Sequence, residues 1–157
     1  MRQTAVLSDL ELRILGLIRE EPRSGYDLRK VLASSPGSIY PAVKRLAAAG
    51  LIDGREEGTG ARKKETFYPT ASGRRALKDG LALPTLEEMR RDPQSIAARL
   101  RFLDGAAAAS FLAEYGRLAS QCASELERES GLAAEHDAAI YAARARWASA
   151  TVKQLLR

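Results

Sequence analysis

Between Gly37 and Asp53 the apolar positions mark out a helix with two unlike faces. Ile39, Val43 and Leu46 recur at i, i+4 and i+7, the spacing of a buried stripe. Pro41, Lys44, Arg45 and Ala48 fall on the opposite side, which is small, cationic and free of acids. With Ser38 as N-cap, Pro41 lies in the first turn, where the amides have no intrahelical partner to lose. Gly50 ends the helix and Leu51-Ile52 begins an extended run. A packed back and a basic, low-relief front suit the major groove of DNA. An ordinary surface helix would show the same pattern, so the neighbouring segments have to decide.

Upstream, Ser8 with Glu11 forms a capping box ahead of Leu10, Ile14, Leu17 and Ile18, and Pro22 stops that helix. Ser24 with Asp27 caps a second helix holding Tyr26, Leu28, Val31 and Leu32, and Ser34 to Gly37 turns into the third. Downstream, Leu51 to Glu57 and Arg62 to Pro69 are strand-like runs joined by Gly58-Thr59-Gly60. Arg62, Lys63 and Lys64 make the second run a cationic arm, followed by Thr66-Phe67-Tyr68. Glu56, Glu57 and Glu65 dilute the charge, so the far arm is the one expected to face phosphate. Thr70 caps a fourth helix with Leu77 and Leu81. Three helices, a β-hairpin and a helix make residues 1–83 a winged helix-turn-helix, the DNA-binding domain.

Residues 84–157 read as a helical dimerisation domain. Leu83-Pro84 marks a break, Glu87 to Arg91 a short helical link, and Asp92-Pro93 an N-cap with proline at the first helical position. The helix that opens there carries Ile96, Leu100 and Leu103, and Gly105 ends it. A long helix then presents Phe111, Tyr115, Leu118, Cys122 and Leu126. After Gly131 a last helix presents Ile140, Arg144, Trp147, Thr151 and Leu155. Two such helices joined by a short turn form an antiparallel hairpin. One neighbour cannot cover that much apolar surface, so a second copy is the expected partner. Phe111, Tyr115, Leu118, Cys122, Leu126, Ile140, Trp147 and Leu155 are the candidate dimerisation residues. A monomeric subdomain packed on the winged helix is the alternative.

Charge sharpens the division. Residues 1–83 hold 15 Lys and Arg against ten Asp and Glu, whereas residues 84–157 hold ten of each. The whole excess of +5 therefore sits on the half with the basic helix and wing, as an electrostatic footprint for nucleic acid requires. At 157 residues the chain suffices for one substantial domain or two small ones. No apolar run approaches membrane-spanning length, roughly 18 residues. Asp9 and Glu11 interrupt the N-terminal apolar positions, which excludes a secretory signal, so a cytoplasmic location is expected. The single cysteine, Cys122, forms no internal disulfide and on an apolar face reads as packing, with a redox sensor the less favoured alternative. The single histidine, His136, lies in a polar stretch and is expected at the surface. One His and one Cys give no zinc-ligand set, and Gly58 to Arg62 lacks the strand-to-helix setting of a phosphate loop. Glu56-Glu57 and Glu87-Glu88 are adjacent pairs whose side chains diverge. An enzyme is not expected, nor a metal or other cofactor.

The chain resembles the PadR family of winged-helix transcriptional regulators. The resemblance lies in Leu12-Arg-Ile-Leu-Gly-Leu-Ile18, Ser24-Gly-Tyr-Asp-Leu28, Gly37-Ser-Ile-Tyr-Pro-Ala-Val-Lys-Arg-Leu46 with Gly50-Leu-Ile52, and Phe67-Tyr-Pro-Thr-Ala-Ser-Gly73. It covers the first half in order, and the helical second half is similar to the longer dimerisation region of many members. It implies Ser38, Tyr40, Pro41, Lys44 and Arg45 at the groove and Tyr26 near a phosphate. The wing departs from the family pattern, because Glu65-Thr66-Phe67 stands where basic residues often run into paired tyrosines. The function expected is that of a homodimeric repressor on a pseudo-palindromic operator in double-stranded DNA, without a membrane partner. A winged-helix protein-interaction module using its basic face on an acidic partner is the alternative. Family members that sense flat aromatic compounds suggest a small aromatic effector, with Trp147 and Phe102 as the residues beside it. A dimer or core anchor is the plainer role for Trp147.

Overall fold

The computed structural model describes residues 7–58, 60 and 63–157. It is mainly helical with one small antiparallel sheet, and the chain divides into two compact units, Met1–Gly80 and Leu81–Arg157.

The first unit is a winged helix-turn-helix. Helix α1 (Asp9–Glu20) starts on the capping box, with the Glu11 amide donating to Ser8 Oγ and the Ser8 amide donating to Glu11 Oε2. Ile14, Leu15, Leu17 and Ile18 of α1 are fully buried. A two-residue strand β1 (Arg23–Ser24), which the sequence pattern did not reveal, precedes α2 (Gly25–Leu32). The second capping box is formed as expected, with Asp27 and Ser24 exchanging bonds.

Helix α3 (Pro36–Ala48) begins earlier than its pattern suggests. Ser35 is the N-cap residue with Pro36 at the first helical position, and Ser38 lies inside the first turn with its Oγ 3.0 Å from Ser35 Oγ. A residue before proline is pushed to extended backbone, the conformation an N-cap needs, so the Ser35-Pro36 pair wins over Ser38. Pro41 consequently sits within the helix, where it removes the bond an amide would give the carbonyl of Gly37. At the other end, the Gly50 amide donates to the Ala47 carbonyl and the Leu51 amide to the Leu46 carbonyl, both at 2.9 Å. That pair of bonds is a Schellman motif, and Gly50 supplies its left-handed residue at φ +68°.

Strands β2 (Ile52–Glu57) and β3 (Lys64–Pro69) form the wing, with Gly54 opposite Phe67 and Glu57 opposite Lys64. The strand order β1-β3-β2 places β3 in the middle. Gly58 and Gly60 both have positive φ at the turn, whereas Thr59 and Arg62 lie outside the described residues. Helix α4 (Ala71–Gly80) is capped by Thr70, whose Oγ1 accepts from the Gly73 amide at 3.0 Å and donates to the Gly50 carbonyl at 2.7 Å. Helix α1 packs on α3, α4 and β3, with Leu28, Ile39, Leu46 and Leu77 completing the core.

In the second unit α5 (Leu86–Arg91) is capped by Thr85 and Glu88, and α6 (Pro93–Ala98) by Asp92. The chain then tightens into a 3-10 turn (Arg99–Phe102), where a continuous helix to Leu103 was expected. Gly105 does not end a helix but opens α7 (Gly105–Leu126), with Asp104 extended in front of it. A glycine between periodic segments marks a boundary without saying on which side the helix lies. Helix α8 (Leu132–Leu155) folds back on α7. Gly116 makes the approach close, since a Cβ there would lie 3.1 Å from Ala148 Cβ. The core joins Met89, Ile96, Phe111, Leu112, Tyr115, Leu118 and Cys122 to Ala145 and Ala148 of α8. The Tyr141 hydroxyl donates to the Met89 carbonyl at 2.9 Å, which ties α8 to α5.

Gly73 has the least room for a side chain among the described glycines of the first unit. A Cβ on it would sit 1.9 Å from the Leu51 carbonyl oxygen. Gly73→Ala should therefore destabilise the unit by about 3 kcal/mol or more, as overpacking against backbone does. A urea midpoint within error of the parent protein would show that α4 can shift without loss.

Candidate nucleic-acid interface

Helix α3 separates its side chains cleanly. Ile39, Ala42, Val43 and Leu46 are buried, and Ser38, Tyr40, Pro41, Lys44 and Arg45 are exposed. No acidic residue lies on α3, and its two cations, Lys44 and Arg45, both stand on the exposed side. The Tyr40 ring rests on the first residue of α2, where a Cβ at Gly25 would come within 2.7 Å of the ring. A side chain at Gly25 would push Tyr40 off its place, so that glycine sets where the ring stands on the exposed face. Tyr26, also exposed, carries the Arg29 guanidinium 5.2 Å from its ring centre.

Arg45 leans back across the unit to α1, its Nε donating to Glu11 Oε1 at 2.8 Å. Burial alone would raise the Glu11 carboxyl. The hydrogen bonds from the Ser8 amide and Arg45 outweigh it and hold the group below the usual carboxylate range. In the wing, Lys64 Nζ lies 3.5 Å from Asp27 Oδ2 and Lys63 Nζ 3.6 Å from Glu56 Oε2. Arg55 stacks on Tyr68, 4.5 Å from the ring centre, and the Tyr68 hydroxyl donates to the Glu57 carboxylate. That bond holds the Glu57 carboxyl low and raises the Tyr68 phenol. Exposed ion pairs of this kind are weak, about 0–1 kcal/mol, so a phosphate can displace the acid from either lysine. Arg62, the first residue of the expected cationic arm, is outside the described residues.

Several neighbours of this face escape a reading of periodicity. Glu11 and Asp27 read only as capping residues, yet each also holds a cation of the face. Arg29 on Tyr26 is an i, i+3 pair legible once α2 is placed. Arg55 on Tyr68 is a diagonal pair across the β2–β3 register, visible only when that register is known.

The residues expected on a self-association surface divide into two groups. Phe111, Tyr115, Leu118 and Cys122 lie in the core of the second unit itself, and Leu126 is half-buried. Ile140, Trp147 and Leu155 are exposed by 37, 49 and 44%. Trp147 meets Tyr115 edge to face with ring centres 6.4 Å apart. Phe102 is buried in the 3-10 turn. Burial pushes the Cys122 thiol up, so it packs as a neutral group. His136 is exposed and hydrogen-bonded to Asp137. Among the described residues no group of three His, Cys, Asp or Glu side chains could hold a metal ion, and no helix is long and apolar enough to cross a membrane.

Residues 14–79, from α1 through α4, match the Transcriptional regulator PadR-like family. The transcriptional regulator Rv3488 of Mycobacterium tuberculosis is 32% identical over 85 residues, spanning 54% of this chain and 72% of that protein. Two solved structures are similar along most of the chain. Bacillus subtilis PadR in complex with operator DNA is 21% identical with a TM-score of 0.45, over 94% of this chain and 99% of that one. The PadR-like regulator BC1756 of Bacillus cereus is 18% identical with a TM-score of 0.44, over 96 and 98%. The chain belongs to the PadR-like family of transcriptional regulators.

Proposed function

We propose that this protein is a sequence-specific DNA-binding repressor that acts as a homodimer on a pseudo-palindromic operator. The observation that carries the reading is the division of α3 into a buried apolar back and an exposed, acid-free front bearing Tyr40, Lys44 and Arg45. Such a helix can enter the major groove while its back stays on the core. Lys44 and Arg45 then meet base edges, Ser38 and Pro41 allow close approach, and Tyr26, Lys63 and Lys64 meet phosphates. On this reading residues 1–83 bind the operator and residues 84–157 pair two copies.

Helix α8 supports the pairing. Its buried positions are small, Ala138, Ala145 and Ala148, with Tyr141 and Val152 partly buried against the core, whereas the large apolar side chains Ile140, Trp147 and Leu155 are exposed. A second copy covers that stripe, with Phe111, Tyr115, Leu118, Cys122 and Leu126 stiffening the helix pair beneath it. A dimer seated on a promoter occludes the duplex, which is how we read its action as repression. An effector that prefers one arrangement of the two copies would change operator affinity by its differential binding. A small aromatic compound beside Trp147 and Phe102 is the effector class we propose.

Three outcomes are expected. Lys44→Ala should lower affinity for a selected operator by about 1–3 kcal/mol, the range for a lost bidentate base contact. A gel-shift titration that leaves specific affinity intact removes Lys44 from the reading. Neutralising Lys63 and Lys64 together should weaken specific and non-specific duplexes alike. Each lost phosphate contact should also reduce the slope of log K on log salt by about 0.9. An unchanged slope places the wing away from DNA. Trp147→Glu should leave helicity intact, give a monomer by sedimentation and reduce operator affinity about a hundredfold, because two linked half-site contacts become one. A persistent dimer would rule out the outer stripe of α8 as the interface. In the parent protein, aromatic compounds that release the operator should shift Trp147 emission, and release without any shift argues against an effector at that residue.

A further inference from the structure

Glu11 is one carboxylate with two tasks. Its Oε2 accepts from the Ser8 amide at 2.9 Å and from Ser8 Oγ at 3.0 Å, which locks the side chain against the first turn of α1. Its Oε1 accepts from Arg45 Nε at 2.8 Å. The Glu11 side chain is only 12% exposed, whereas that of Arg45 is 60% exposed. The ion pair is therefore an anchored acid holding an accessible cation.

Which nitrogen it holds matters. Nε is the inner nitrogen of the guanidinium, on the stem side. Among the hydrogen bonds of the described residues, the two terminal nitrogens of Arg45 have no partner. Arg117 shows the contrasting geometry, with both Nε and a terminal nitrogen donating to Glu114. Gripped at Nε, a planar guanidinium keeps its end-on pair of donors, the pair that meets a guanine edge or a phosphate bidentately. An unheld arginine on a helix front samples many rotamers, and that freedom is lost on docking.

We propose that Glu11 is a positioning residue for DNA recognition, holding the Arg45 stem so that its terminal nitrogens are presented from α3 before DNA arrives. This rests on the reading of α3 as the helix that meets the operator. It assigns to a capping residue of α1 a part in sequence preference.

The sign of the effect separates positioning from simple electrostatics. Removing an acid beside a DNA-binding face should, by charge alone, strengthen binding to every duplex. Under positioning, E11Q instead weakens only the specific complex. The test uses the full chain, a duplex selected by it from random sequences, and a scrambled duplex of equal length. E11Q should lose between about threefold and thirtyfold in affinity for the selected duplex, which lies within the span of couplings between contacting residues. The scrambled duplex should be bound as before or more tightly. R45A should lose at least as much on the selected duplex, and E11Q/R45A no more than R45A alone. Unimpaired binding of the selected duplex by E11Q overturns the proposal, as do losses that multiply in the double variant, while R45A alone keeps the α3 reading in place. If R45A binds the selected duplex normally, or nothing can be selected, the α3 reading falls and the proposal with it. Glutamine still suits a capping box. Should E11Q nonetheless fail to fold by circular dichroism, R45K answers the question. Lysine keeps the charge but has no inner nitrogen for Glu11 to hold apart from a terminal pair of donors, so undiminished selectivity in R45K also overturns the proposal.

Discussion

Three segments of the winged helix meet at the backbone of Gly50 and Leu51. The amides of these two residues close α3, the Leu51 carbonyl accepts from the Thr70 amide at 3.1 Å, and the Thr70 hydroxyl donates to the Gly50 carbonyl. The end of α3, the exit of β3 and the start of α4 are thereby tied to one another by backbone groups. Only a residue without a side chain fits at Gly73, and only a residue at ease with positive φ fits at Gly50. The angle between α3 and the wing follows from this knot. Surface charges can be placed on a helix and on a hairpin separately, but whether they can face one duplex depends on that angle.

A second economy recurs along the chain. Each of the three capping boxes among the described residues uses an acid at its third helical position, and in each the acid also holds a cation from elsewhere in its unit. Glu11 holds Arg45, Asp27 holds Lys64, and Glu88 holds Arg99. Capping locks the carboxylate, so the cation is met by a fixed partner rather than a free one. The consequence differs with exposure. The Glu88–Arg99 pair is partly buried and joins α5 to the 3-10 turn, whereas the other two pairs lie at the edge of the cationic face.

Helix α8 inverts the usual distribution of apolar size. A helix that packs once buries its large side chains, but here the buried positions are alanines, with Tyr141 and Val152 partly buried beside them and Ile140, Trp147 and Leu155 exposed. Small residues allow the backbones to approach, as the Gly116–Ala148 contact shows. The core volume is then supplied by α7, through Phe111, Leu112, Tyr115 and Leu118. This is why Phe111, Tyr115 and Leu118, expected on a surface between copies, lie within one chain. Periodicity reports that a stripe is buried without saying what buries it.

Local chemistry determined much of this protein before any packing was considered. The capping boxes at Ser8 and Ser24, the stop at Gly50, the Thr70 cap, the hairpin and the two faces of α3 are all legible because each depends on residues within a turn or two of one another. The tertiary structure decided what depends on residues far apart. Strand β1 exists only because β3 offers Arg23 and Ser24 partners at Phe67 and Thr66. The start of α3 moved to Ser35 because two serines competed for one cap, and the proline beside the first settled it. The opening of α7 at Gly105 was equally ambiguous, since a glycine can end a helix or begin one. Glu11 and Arg45 are 34 positions apart, and no spacing rule on one helix connects them. Their meeting comes from α1 packing across α3, a contact made by the apolar stripes that the sequence displays and oriented by a geometry that it does not.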